Sequence, residues 1–373
     1  MMLALLVLLT VSVLAVPLLP ALREWRQPSD VVPLQIDEAD ALDPPHLAHS
    51  FAALLAEAVR TAASHLGGSP ITHQVQSPEG AGLLLQPAEI HAGRSDRLWN
   101  IEGGVQLPEN MHFYAEVAAS GWLRTATDGV YRALWAGATA TLEPGTTVLR
   151  WAHGQEVHIG DACRVEGRVT AQQSITVGLG VDFMLLHAPQ VLFVGHGGEF
   201  SGRPRADSTV CVALAEWPAG VVWDGKVRRA FARQALQVDA YRSWLADIVC
   251  LADLSLGAYC QATGSLKARG ALYVGPGSHV SGNLVAGGSI FLGAGCVVRG
   301  TVVSETAIFL GPGCTIGTPG QSATMAAPQI RICAGTTVYG TVWADEHGET
   351  VLPTGADMED HLWADLSQRG VMV

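Results

Sequence analysis

Apolar residues in the second half of the chain recur at a fixed offset of eighteen positions, not at helical spacing. Segments 253–270, 271–288, 289–306 and 307–324 align without a gap. Each carries short apolar stretches: Leu272/Val274, Ile290/Leu292 and Ile308/Leu310 in one set of columns, Val280, Val298 and Ile316 in another. Gly257, Gly275, Gly293 and Gly311 share one column, and Gly264, Gly282 and Gly300 share a second. A finer period of six runs through Val274, Val280, Ala286, Leu292, Val298, Ser304, Leu310 and Ile316. Such a repeat is too short for a propeller blade. It predicts one turn of a parallel β-helix, an all-β triangular solenoid of about 18 residues per coil. Each side is a short strand, and alternate side chains point inward to stack on the equivalent position one coil on, roughly 4.8 Å away. Gly-Pro-Gly at 275–277 and 311–313 and Gly-Ala-Gly at 293–295 supply the corners. A single coil cannot bury its inward face, so several must stack before any is stable.

The pattern reaches beyond the four clear copies. Residues 236–252 read as a degenerate coil with Val238 and Trp244 in the apolar columns. Residues 330–342 resume the pattern four positions late, with Gly335 and Gly340 on the spacing of Gly277 and Gly282, so 318–328 is expected to bulge out as a loop. An earlier array shows the same signature at 138–150, 158–167 and 176–180. The expected organisation is a membrane anchor over 1–22, a linker with an amphipathic helix over 23–66, and an irregular lead-in or cap over 67–132. A first β-helix array follows over 133–195, an insertion or irregular coils over 196–234, a second array over 235–344, and a tail or cap over 345–373. Leu47, Phe51, Leu54, Leu55, Ala58, Val59 and Ala62 line one face of the helix predicted over 46–66. With little positive charge for a lipid surface, that face is expected to pack on the solenoid or on a second copy. Residues 357–367 form an acidic amphipathic stretch that could cover the strand edge of the last coil.

Residues 2–22 contain no charge. As a helix they would run about 32 Å, enough to cross a hydrocarbon core of about 30 Å. No Lys or Arg precedes the run and no clear A-x-A site follows it, which favours an anchor over a cleaved signal peptide. Arg23 and Arg26 flank Trp25 immediately after the span, and the positive-inside bias then places the C-terminal bulk in the cytoplasm. Were the N-terminus a signal sequence, the bulk would face outward instead. The net charge of −12 and the lack of any Lys/Arg run argue against nucleic acid as a partner. Charged residues make up only 15%, against a usual ~25%, as the uncharged span and the β-branched coil faces require.

Candidate chemistry is sparse. Seven cysteines with no C-x-x-C do not form a disulfide framework. Cys296 and Cys314 lie one coil apart in the column of Ser278, as small residues stacked inside the prism would, rather than as a metal or redox pair. The run from Gly293 to Gly300 has the look of a phosphate loop, but its glycines recur every coil and no βαβ context surrounds them. His46 and His49 are three apart on the predicted helix with no third metal ligand in view. No cofactor is expected. The enzymatic alternative is a hexapeptide-repeat, left-handed β-helix acyltransferase with His279, in Gly-Ser-His-Val-Ser-Gly, as general base. Its column mates Val297 and Thr315 mark an ordinary strand position facing solvent.

The stretch Gly264-Ser-Leu-Lys-Ala-Arg-Gly270, Gly275-Pro-Gly-Ser-His-Val-Ser-Gly-Asn-Leu-Val285 and Gly293-Ala-Gly-Cys-Val-Val-Arg-Gly-Thr-Val-Val303 resembles the bactofilins, bacterial polymer-forming cytoskeletal proteins. The match covers about 236–343, with a weaker one over about 133–195. The resemblance implies a right-handed triangular β-helix that associates end to end without nucleotide. It also implies a non-catalytic scaffold at the bacterial inner membrane whose partners are itself, the bilayer and other membrane or envelope proteins. The chain departs from that family in the long segment before the first plausible coil and in its acidic tail, which would end the stack if it capped it.

Overall fold

A computed structural model describes residues 44–64, 74–76, 83–84, 93–96, 98–109, 111–195, 211–214 and 216–352. The anchor expected over 1–22 and the acidic stretch at 357–367 lie outside the described residues. Among the described residues, no helix is long and apolar enough to cross a membrane.

The strands form a parallel β-solenoid of about 13 turns spaced about 18 residues apart. One inward column runs Trp244, Ala262, Val280, Val298 and Ile316, each paired to the next in parallel register. A second runs Val238, Leu256, Val274, Leu292 and Leu310, and a third Ile248, Leu266, Leu284 and Val302. Every member is buried. Full burial of a Val, Leu or Ile side chain contributes about 1.5–3 kcal/mol, so stability accumulates coil by coil. On one outer face Tyr273, Phe291 and Phe309 stack with near-parallel rings 4.9 and 4.8 Å apart, the rise of the coil itself.

The two glycine roles separate physically. A Cβ on Gly275 would lie 2.5 Å from the carbonyl carbon of Gly257 in the previous coil, so this column is glycine because the backbones come too close for a side chain. Gly313 sits at a corner with φ +71°, in the left-handed region. The same corner in the first coils of the second array holds Tyr241 and Tyr259 at φ 60° and 57°, with their rings stacked 5.3 Å apart. Bulky residues rarely adopt this conformation.

Three boundaries differ from expectation. The four-residue delay is real, since Ile308 pairs with Ile330 and Thr315 with Thr337. Its loop is shorter than 318–328, however. The chain turns through a bridge between Thr318 and Gln321, and strand Ala323–Cys333 has already begun. Regular coils also start well before 133: Arg94 pairs with His112, Trp99 with Val117, and Val105 with Leu123. The spacing there slips to 17, as in Val117 to Leu134 and Leu123 to Ala140, and the left-handed corner is taken by Asp128 and Ala162 as well as by glycine. Finally, the second array begins before 235. Strand Val212–Ala213 pairs with 242–243, and Arg229–Ala232 pairs with Asp247–Cys250 in coil register.

The largest departure is how the arrays end. Strand Asp182–Phe193, which closes the first array, pairs antiparallel with strand Thr337–Val351, which closes the second. The pairing spans all three sides: Phe183 with Gly348, Leu186 with Val342, and Val191 with Val338. Thr350, buried at the seam, donates its hydroxyl to the Gly178 carbonyl at 2.7 Å and accepts the Val181 N–H at 2.8 Å. At the other end of the seam, the Phe193 N–H donates to Thr336 O and the Gly335 N–H to Phe193 O. The last coil of each array thus satisfies the open strand edge of the other, the task expected of a cap over 345–373. Residues 345–351 are instead strand within this seam.

Candidate functional site

The side chains singled out for possible chemistry are dispersed along the solenoid. His279 projects from an outer face, half-buried, between Gln261 and Val297 on the neighbouring rungs. Burial, then the nearby Arg299 charge, lowers its pKa. An amide and an aliphatic group are what a base at this position would have for rung neighbours.

Six of the seven cysteines are buried, and Cys211 is partly exposed. Cys296 Sγ donates to Gly275 O and Cys314 Sγ to Gly293 O, each at 3.2 Å. Cys260 and Ser278 make the same contact to Asp239 O and Gly257 O, and Cys163 repeats it in the first array with Glu143 O. In each of these coils a small donor thus serves a corner carbonyl. None of the thiols is in a disulfide, and burial pushes Cys163 up to about 12. Among the described residues, no group of three or more His, Cys, Asp or Glu could hold a metal ion.

The predicted helix spans His46–Ser64 and docks on the first array. Leu47, Ala48 and Phe51 pack against Ala133, Trp135 and Trp151, with the Phe51 and Trp151 rings 5.2 Å apart. Leu54, expected on the buried face, is 71% exposed. The described contacts run instead through Leu47, Ala48 and Phe51, in the first turns of the helix. Beneath it, the His49 ring meets the His153 ring edge-on at 5.7 Å. His153 is buried and shares a 2.7 Å hydrogen bond with the Thr170 hydroxyl. Burial, then the charge of His49, lowers the His153 pKa to about 4.

The first coils of the second array present the feature that sequence inspection missed. Strand Val221–Asp224 folds back antiparallel onto Arg229–Ala232, and among the described residues it pairs on that side alone. Val222 is 63% and Trp223 45% exposed, and Val212 and Val227 are also more than half exposed. Trp223 stacks on Trp217 at 5.6 Å. Among the described residues, the buried indole N–H of Trp244 has no hydrogen-bond partner. The sequence signal was a Val-Val-Trp run ending in Asp224-Gly225, a short strand leading into a turn.

Val280, Leu292, Val298, Leu310 and Ile316 lie in one stacked core with no ligand chemistry of its own, while Gly257, Gly264, Gly275, Gly282, Gly293, Gly300 and Gly311 stand where the backbone of the preceding coil comes close. No protein-family model, no curated protein and no solved structure matches the chain.

Proposed function

We propose that the chain is a non-catalytic, bactofilin-like scaffold held at the bacterial inner membrane by residues 1–22. Its solenoid faces the cytoplasm, associates with further copies and positions partner proteins. The observation that carries this reading is the unbroken stack of about 13 turns, one dry column with long flat outer faces. Such a rod is stiff and offers extended binding surfaces at little ordering cost. The uncharged 2–22 run and its Arg23–Trp25–Arg26 flank support the anchor, and the repeat from Gly264 to Val303 supports the resemblance to bactofilins, which in turn implies right-handed winding.

Fractionation of cells expressing the full chain tests the reading. The protein should sediment with membranes, resist high salt, and be released by detergent or by deletion of 2–22. A reporter fused to the C-terminus should respond as a cytoplasmic one. A full chain that stays in the soluble fraction, or a C-terminus reporting from the outer side, would refute it.

A further inference from the structure

We propose that an apolar strip on one outer face of the solenoid, running from Leu185 to Val285, docks a basic amphipathic helix of a partner protein. The inference rests on the scaffold reading only for its premise that the rod carries partners, and it names their class and their place.

Five outward residues on consecutive rungs build the strip: Leu185, Trp343, Ala326, Val303 and Val285, each in register with the next. Trp343 is 51% exposed and the other four are partly exposed. The column meets Arg168 on one side and Lys267 on the other, so the apolar run has defined ends. One rung beyond Arg168 it reaches Trp151, on which the chain's own helix His46–Ser64 packs. The strip therefore continues, after one cationic rung, a face that already accepts a helix. Contiguous exposed apolar surface of this kind marks a binding surface.

An extended peptide would gain little here. Strand addition needs free backbone groups at a sheet edge, and every rung of the strip is paired on both sides. A helix satisfies its own backbone and needs only an apolar stripe to lay on the face. At about 4.8 Å per rung the five residues span about 19 Å, the length of about 13 helical residues, and a helical turn of about 5.4 Å nearly matches one rung. Apolar side chains one turn apart can thus meet successive rungs.

The rim sets the charge of the partner. Glu305 follows Val303 by two residues at the corner, Asp345 follows Trp343 in the same way, and Glu346 comes next. All three are exposed, and none of them forms an ion pair among the described residues. The opposite edge carries the neutral Thr341 and Thr324. A helix with Lys or Arg along one flank of its apolar stripe complements both edges, and an acidic flank is repelled. This chain's own helix pairs its Arg60 with Glu57 and brings no net positive flank, which sets a second copy aside as the occupant.

The test uses the full chain in phosphatidylcholine nanodiscs and a labelled synthetic helix of about 14 residues, with leucines on one face and lysines along one flank. A scrambled peptide of the same composition and empty discs are the controls. Fluorescence anisotropy should show the patterned peptide binding at least about tenfold tighter than the scrambled one, and less tightly as salt is raised. Trp343→Ser, and separately Asp345→Lys/Glu346→Lys, should each weaken binding about tenfold while the β-sheet circular dichroism is unchanged. Should Trp343→Ser misfold, the rim variant carries the test, because it should also gain binding to the peptide remade with glutamates in place of lysines. Equal binding of patterned and scrambled peptides, or variants that bind as the unaltered chain does, would overturn the proposal. An unaltered chain that sediments as two copies and is parted by Trp343→Ser would give the strip to a second copy and overturn it also. Membrane fractionation decides the scaffold reading independently of each of these results.

Discussion

The seam between the arrays makes a sharp prediction at Phe183. One inward column runs Leu236, Leu254, Leu272, Ile290, Ile308 and Ile330, then reaches Gly348, where a side chain is missing. From the first array the same column arrives through Phe113, Tyr131, Val148 and Val165 at Phe183. A Cβ on Gly348 would lie 2.3 Å from the Phe183 ring, so the ring occupies the space that the glycine leaves. Truncating a buried Phe to Ala costs about 3–5 kcal/mol, less when neighbours can collapse into the void. Gly348 has nothing to move inward, so Phe183→Ala should fall in the upper half of that range. Amide hydrogen exchange is the appropriate assay, because a solenoid need not unfold in one step. Protection should fall together in Asp182–Phe193 and Thr337–Val351, which lie far apart in sequence, while Leu266–Ala268 and Leu284–Ala286 stay within about 0.5 kcal/mol. Adding Gly348→Leu to Phe183→Ala should recover part of the loss by refilling the gap from the other side. A change confined to Asp182–Phe193, or a cost below about 1 kcal/mol, would refute the seam.

Three further outcomes follow from the same packing. His153 has a folded-state pKa of about 4 against an ordinary 6.5, so the unfolded or undocked form binds more protons between those values; stability is complete above pH 6.5 and falls as the pH drops towards 4, by at most about 3 kcal/mol. Exchange at His46–Ser64 should therefore rise across that window, and a His153→Gln variant that kept the same pH profile would refute the assignment. Leu292→Asp places an unpaired charge in the dry column and should cost more than about 4 kcal/mol, read as loss of the folded species by size-exclusion chromatography. His279→Ala should change stability by no more than about 1 kcal/mol, and the unaltered chain should bind no acyl-CoA; binding that disappears with His279 would favour the acyltransferase reading.

What the sequence disclosed and what it hid divide along a physical line. The eighteen-residue offset is a nearest-neighbour property, set by Cβ stacking and by corners such as Gly277 and Gly313, so it is visible wherever those glycines recur. Where the corner passes to Asp128 or Ala162 and the spacing slips to 17, or to Tyr241 and Tyr259 at the full eighteen, the glycine signature is missing and the pattern fades, although Phe113, Leu123 and Leu134 are as buried as Leu292. The helix was legible from its apolar spacing. Its docking stripe was not, because that depends on Trp151 and Ala133 in coils the repeat did not resolve. The seam lay furthest from view. A repeat states which residue lies one rung on, but it carries no information about the last rung, where the next neighbour comes from another part of the chain and runs the opposite way. Gly348 was the available hint: a glycine where every other second-array rung of its column carries Leu or Ile, explicable only if a large side chain arrives from elsewhere to fill the space. The same reasoning turns attention to the opening end of the second array. Its outermost rung carries the exposed pair Val222 and Trp223 where the closing rungs have each other, so the two ends of that array differ in what covers them and not in how a β-solenoid end must be satisfied.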